Sequence, residues 1–364
     1  MPLYLTDDQR LLRDTAREFM AAEGNVGSQL RHWRDRNCKD GFGHALWKQF
    51  GEMGFTGVLV PESAGGLGLG AVEAGIVAEE IGRELTPSPY LSTAVGAAVA
   101  FRDGEAGARW LPGILAGETV AAIAVDEGPK HAPERIETRA EPHGNGVRLT
   151  GTKQFVVQGA SADVLIVAAR GEDGVGLYAV EKAAAGLDLE PTRLVDSSVA
   201  ATVRLEGAEA EPLGGADLFG RVLAHLRLGA AWEQVGVGTR AAEMTANYLK
   251  ERRQFGRLIG EFQALQHRAA HLHSELEIAR AAALKAAQLL DEGARDAELM
   301  ISVAKAKCAR VGALAVQEGV QMFGGVGMTD EYDIGLYMKR DRALTEWWGD
   351  ARYHTERVAS LSGY

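Results

Sequence analysis

The apolar positions along this chain change period twice. Thr6-Asp7-Asp8-Gln9 opens a segment whose Leu11, Leu12, Ala16 and Phe19 recur at helical spacing. Leu46, Phe50 and Met53 mark a second helix near 45–53. A turn-rich stretch follows over 63–70, a further helix over 71–84, and Trp110-Leu111-Pro112 leads out at Gly117. The next hundred residues alternate instead. Short runs rich in Val, Ile and Ala at 120–125, 136–141, 146–149, 154–157, 164–169, 175–180 and 200–205 predict strands, and His143-Gly144-Asn145-Gly146 predicts a hairpin turn. Helical spacing then returns over 218–252, 262–290, 297–323 and 347–361. The expectation is an α+β multidomain chain: a helical domain over 1–117, a small β-barrel or sandwich over 118–212, and a C-terminal four-helix bundle over 213–364.

Composition narrows the function. A chain of 364 residues with 46% hydrophobic and 24% charged side chains can bury large cores. The net charge of −11 argues against non-specific nucleic-acid binding, which needs a basic face. Cys38 and Cys308 form no C-x-x-C pair, so they predict no metal or redox motif and read as small buried hydrophobes. The N-terminus carries no basic and apolar leader pattern, and no apolar run reaches the ~20 residues of a membrane span, so a cytoplasmic protein is expected.

Four stretches carry a resemblance. They are Pro61-Glu62-Ser63-Ala64-Gly65-Gly66-Leu67-Gly68-Leu69-Gly70 with Glu79-Glu80-Ile81-Gly82 after it; Gly151-Thr152-Lys153-Gln154-Phe155-Val156-Val157; Glu251-Arg252-Arg253-Gln254-Phe255-Gly256 with Gln263 beyond; and Gln321-Met322-Phe323-Gly324-Gly325-Val326-Gly327. Each is weak alone. In this order and spacing the chain resembles the acyl-CoA dehydrogenase family along nearly its whole length. That resemblance implies FAD, an acyl-CoA substrate and α,β-dehydrogenation. In that reaction a carboxylate base removes the α-proton while the β-hydrogen leaves as hydride to the flavin.

In this family each FAD lies at a subunit interface. The resemblance assigns the ADP end of a neighbour's FAD to Arg252, Phe255, Gln263, Gln321, Gly324 and Gly325. An Arg fork suits phosphate oxygens, and paired glycines let the backbone approach a dinucleotide. Arg227 stands at the family's channel arginine, an expected substrate contact, with an ordinary helix-surface arginine as the alternative.

The motif for a chain's own flavin resembles Thr-Glu-Pro-x-x-Gly-Ser-Asp, yet this chain reads Asp126-Glu127-Gly128-Pro129-Lys130-His131-Ala132-Pro133. Asp126 replaces a hydroxyl that donates to the ring, and Ala132 replaces a serine at the pyrophosphate. Phe155 and Val157 replace a Trp and a Thr. The two places where the family carries its glutamate base fall on Gly349 and Leu226, which cannot accept a proton. Asp350 is the carboxylate next to the first of these. It is expected either as a substitute base or as the N-cap of the last helix. His354 is expected on the surface, and Trp347-Trp348 in a core or pocket wall.

The losses are one-sided, and this pattern resembles the catalytically degenerate β-type subunit of α2β2 acyl-CoA dehydrogenases, some of which act on steroid side-chain thioesters. The implied partners are a paralogous subunit bearing the glutamate and an electron-transfer flavoprotein as acceptor. Two alternatives stand beside it: a self-sufficient homotetramer using Asp350, and a flavin monooxygenase or nitroalkane-type oxidase on the same fold.

Overall fold

A computed structural model describes residues 3–144 and 146–364. Asn145, within the expected 143–146 hairpin turn, and Met1-Pro2 lie outside the described residues. Contacts gather the chain into two compact units of interleaved stretches. One comprises 1–28, 75–86 and 230–364, and the other 29–74 and 87–229.

The second unit holds helices α2 (His32–Asp35), α3 (His44–Glu52), α5 (Ala98–Phe101) and α6 (Gly107–Leu115), with the start of α4 (Ala71–Glu84); helix α1 (Asp7–Glu23) belongs to the first unit. α3 buries Leu46, Trp47 and Phe50. The rings of Phe55 and Tyr90 pack on Phe50, with centroids 5.7 and 6.4 Å away. Residues 27–31 and 90–97 coil as wide helical turns that the apolar spacing does not announce; every residue of 90–97 is buried, so that segment has no polar face to set a period.

Seven strands follow: β1 (Ala121–Ala124), β2 (Arg139–His143), β3 (Gly146–Val157), β4 (Val164–Gly171), β5 (Gly174–Glu181), β6 (Leu187–Arg193) and β7 (Val199–Gly214). They run in the order β1-β4-β2-β3-β7-β5, and β5 pairs back onto β4, so β4, β2, β3, β7 and β5 close a ring. β1 lies parallel along β4, and β6 lies antiparallel along β7. Leu149, Val156, Leu165, Val167, Val180, Val203 and Leu205 form the core. The two expected runs at 146–149 and 154–157 are one twelve-residue strand with bulges, and β6 is an addition. Its sequence, Leu-Asp-Leu-Glu-Pro-Thr-Arg, is mostly exposed and carries a proline that only an edge strand tolerates. Thr93 acts as an extra edge group: its hydroxyl donates to the Ala121 carbonyl at 2.8 Å and accepts from the Ala121 N–H at 2.9 Å.

The first unit is helical. α7 (Ala216–Glu251) contributes its second half, followed by a two-strand turn, β8 (Arg253–Gln254) and β9 (Arg257–Leu258), then α8 (Gln263–Asp291), α9 (Ala297–Phe323), α10 (Ile334–Glu346) and α11 (Ala351–Leu361). Thr6 and Gln9 form a capping box that starts α1. Within α1 the buried residues are Ala16 and Met20; Leu11, expected on the inner face, is exposed. α4 and α7 cross closely because a Cβ on Gly236 would lie 1.9 Å from the Glu79 carbonyl oxygen, and one on Gly82 would lie 2.2 Å from that of Glu233. Charges beside this crossing are paired: Arg17 with Glu80, Arg83 with Glu243, Arg280 with Glu79, and Arg340 with Glu233. The expected final helix over 347–361 begins only at Ala351, because 347–350 form a turn. No helix among the described residues is long and apolar enough to cross a membrane.

Candidate functional site

Three local structures carry the residues singled out above. The first is a groove of about 680 Å³ in the helical unit. Tyr248 enters it from the last turn of α7 and Arg252 from just beyond it, Phe255 from the β8–β9 turn, Gln321 from the end of α9, and Gly324 and Gly325 from the turn that follows α9. The groove therefore joins two segments nearly seventy residues apart. Gly324 sits at φ 69°, ψ −149°, a conformation reserved for glycine, and a Cβ on Gly324 or Gly325 would meet nothing within 4 Å. An open cradle of bare backbone is what a dinucleotide needs. Tyr248 stacks on Phe323 with centroids 4.3 Å apart, and Tyr332 meets both edge-on, which fixes one wall. Phe255, also at positive φ, is 90% exposed at the mouth. Among the described residues no ion pair or side-chain hydrogen bond engages Arg252 or Gln321. Gln263, the first residue of α8, is exposed and is not among the groove's lining residues. Tyr248 and Tyr332 were missed from sequence; Tyr248 could have been found, since it lies one turn before Arg252.

The second is the turn between α10 and α11. Trp348 and Gly349 take φ +54° and +109°. A Cβ at Gly349 would lie 2.5 Å from a Tyr353 ring carbon and 2.7 Å from His354 Nε2. A side chain at Gly349 would therefore collide with two side chains of α11. His354 is fully buried rather than on the surface: Nε2 lies 3.1 Å from the Trp348 carbonyl, which can only accept, so Nε2 carries a proton. Asp350 is the N-cap of α11 and its carboxylate accepts from Tyr353 N–H at 2.8 Å. Below the turn, fully buried Lys305 donates to the carbonyls of Leu344 (2.9 Å) and Thr345 (3.4 Å), two of the orphan acceptors at the end of α10. Burial pushes Lys305 down to about 8 and its neighbour Asp341 up to about 7. Trp348 is buried, and Arg340 lies over the Trp347 ring at 4.5 Å.

The third is the loop after β1, in the β-containing unit. Lys153, wholly buried, donates to Glu127 at 2.7 Å and to the Val125 carbonyl at 3.0 Å. Glu127 also accepts from Thr138 N–H and hydroxyl and from Glu137 N–H. Burial opposes the Glu127 charge, but the bonds from Lys153 and Thr138 outweigh it and hold this carboxyl below its ordinary value. Ahead of that anchor, Asp126 accepts from His131 Nδ1 at 2.8 Å and from Ala132 N–H at 3.3 Å. Arg227, on the first half of α7, is 4% exposed and places Nη2 3.2 Å from His131 Nε2. It is a buried, bonded residue rather than a surface arginine. Phe155, at positive φ, is 54% exposed. His131 was missed from sequence; no spacing rule links it to Arg227, 96 residues away.

A helical part, a β part and a second helical part in sequence order, with a groove lined by Arg252, Gly324 and Gly325, have the form expected of the flavoprotein class resembled above. The chain belongs to the acyl-CoA dehydrogenase family, FAD-dependent oxidoreductases: residues 6–118 match the family's N-terminal domain and 214–361 its C-terminal domain. Acyl-CoA dehydrogenase IpdE2 of Mycobacterium tuberculosis is 30% identical over 362 residues, which cover 97% of each chain. Among solved structures, the Tcur3481-Tcur3483 steroid ACAD (G363A variant) matches with a TM-score of 0.92 and 31% identity over 98% of each chain. The ChsE4-ChsE5 complex from Mycobacterium tuberculosis matches with a TM-score of 0.92 and 26% identity over 100% of each chain.

Proposed function

We propose that this chain is the subunit of a heteromeric acyl-CoA dehydrogenase that supplies the ADP end of a FAD site and leaves proton abstraction to a paralogous partner. One contrast carries the reading: the groove around Arg252 and Gly324-Gly325 is open, while a side chain at Gly349 would collide with Tyr353 and His354. When bound, FAD accepts the β-hydride of an acyl-CoA. This chain's part is to hold a phosphate with Arg252, to let the dinucleotide approach Gly324 and Gly325, and to offer the exposed Phe255 ring as an apolar contact. Gln321, at the groove, and Gln263, outside its lining, complete the proposed set.

Asp350 is a weak candidate base because its carboxylate already caps α11. Arg227, buried against His131, is proposed as a substrate-side residue only if that contact opens. Similarity to a steroid ACAD and to the ChsE4-ChsE5 complex supports steroid side-chain thioesters as substrates and a two-chain assembly. A cytoplasmic location, an electron-transfer flavoprotein as acceptor and domain limits at 1–117, 118–212 and 213–364 complete the proposal. The test is flavin per polypeptide. The heteromer should carry one FAD per pair of unlike chains; one FAD per subunit and acyl-CoA oxidation by this chain alone would refute it.

A further inference from the structure

The loop after β1 looks like an anion-binding turn whose anion is part of the protein. A guanidinium has only donors, so the Arg227 Nη2 contact at 3.2 Å requires an unprotonated His131 Nε2. The single imidazole proton then sits on Nδ1 and points at Asp126, 2.8 Å from Oδ1 and 3.1 Å from Oδ2. The Ala132 N–H, a backbone donor of the kind that cradles phosphates, also points at Asp126 Oδ1. Carboxylate, neutral imidazole and guanidinium thus form a line, and the negative charge of Asp126 offsets the buried positive charge of Arg227. Burial lowers His131 below its ordinary value against the pull of Asp126, and Arg227 adds to the lowering, consistent with a neutral ring.

The loop cannot easily swing away from this arrangement. The Asp126 carbonyl accepts from Gln154 N–H at 2.7 Å, and the next residue, Glu127, is tied to Lys153, Glu137 and Thr138. A flavin approaching here would meet a carboxylate where it needs a neutral donor, and would find the Ala132 N–H already engaged. The residues of this face do not fit the cofactor that the groove fits.

We propose that Asp126, with His131 and Arg227, is an internal occupant of this chain's own flavin-facing loop and keeps a flavin ring out of it. This deepens the half-site reading and rests on it.

The experiment measures FAD and ADP binding to the full-length chain, by flavin fluorescence and calorimetry. The wild type should bind FAD no more tightly than ADP, because only the ADP end finds donors. D126T combined with A132S removes the carboxylate and restores two hydroxyls. It should tighten FAD binding about tenfold or more while leaving ADP unchanged. D126N keeps the shape without the charge and should show a smaller gain in the same direction, which covers the case in which the double variant does not fold. The proposal is overturned if neither variant gains FAD affinity, or if the wild type already binds FAD far more tightly than ADP. Failure of the half-site reading would register elsewhere, as ADP binding that does not respond to R252A.

Discussion

Arg252→Ala tests the groove directly. The Arg252 side chain is exposed, and the groove it lines has Gly324 and Gly325 on its floor. A hydrogen bond to a charged phosphate contributes about 1.5–3 kcal/mol, and solvent exposure in the chain alone puts the effect near the lower end. About 1.4 kcal/mol is a factor of ten, so ADP affinity should fall roughly tenfold in the free chain. The loss should be larger in the heteromer, where a partner would exclude water. Stability should hardly change, within about 0.5 kcal/mol, because the Arg252 side chain makes no ion pair or hydrogen bond among the described residues. Arg253→Ala is the control: it removes the adjacent charge, but Arg253 is not among the groove's lining residues. Calorimetry with ADP, at two salt concentrations, separates a specific phosphate contact from general attraction. If R252A binds ADP within about twofold of wild type, or if R253A loses as much, the groove is not a phosphate site of this kind.

Three further outcomes are expected. Gly349→Ala should lower stability by about 1–3 kcal/mol, since its φ of +109° is strained for any side chain and its Cβ would meet Tyr353; an unchanged melting temperature would mean that the turn is not locked. Lys153→Met should destabilise the β-containing unit by about 3–5 kcal/mol by leaving Glu127 without its cation, and adding Glu127→Gln should recover part of the loss in denaturant titration; equal loss in both would remove the ion pair as the cause. Asp341, raised by burial to about 7, keeps its proton in the folded state above the pH at which the unfolded chain releases it. Its contribution to stability is therefore full below about pH 4 and declines as pH rises to 7, at about 1.4 kcal/mol per pKa unit before coupling to Lys305 is discounted. Asp341→Asn should flatten that decline in melting temperature against pH, and an unaltered profile would contradict it.

The succession of helical and strand segments could be read from the chain before any coordinates. Apolar period depends only on which residues alternate, so the passage from helix to strand and back was legible, as were the Thr6 capping box and the long helices α7, α8 and α9. The groove residues were named through the family resemblance, which short local motifs such as Arg-x-x-Phe and Gln-x-x-Gly-Gly can carry, and the structure brings Arg252, Phe255, Gln321, Gly324 and Gly325 to one groove. What the sequence could not give was which distant groups meet. The line from Asp126 through His131 to Arg227 depends on α7 returning beside the loop after β1. The crowding at Gly349 depends on His354 turning inward to the Trp348 carbonyl, although a lone histidine on a polar helix reads as exposed. β6 escaped because an edge strand needs only one partner and can stay polar, and the wide turn at 90–97 escaped because complete burial erases the polar face that marks a helix's period. Periodicity records burial on one face of one element; charge compensation and the occupation of a cavity are properties of several elements at once, and they arise only when those elements pack.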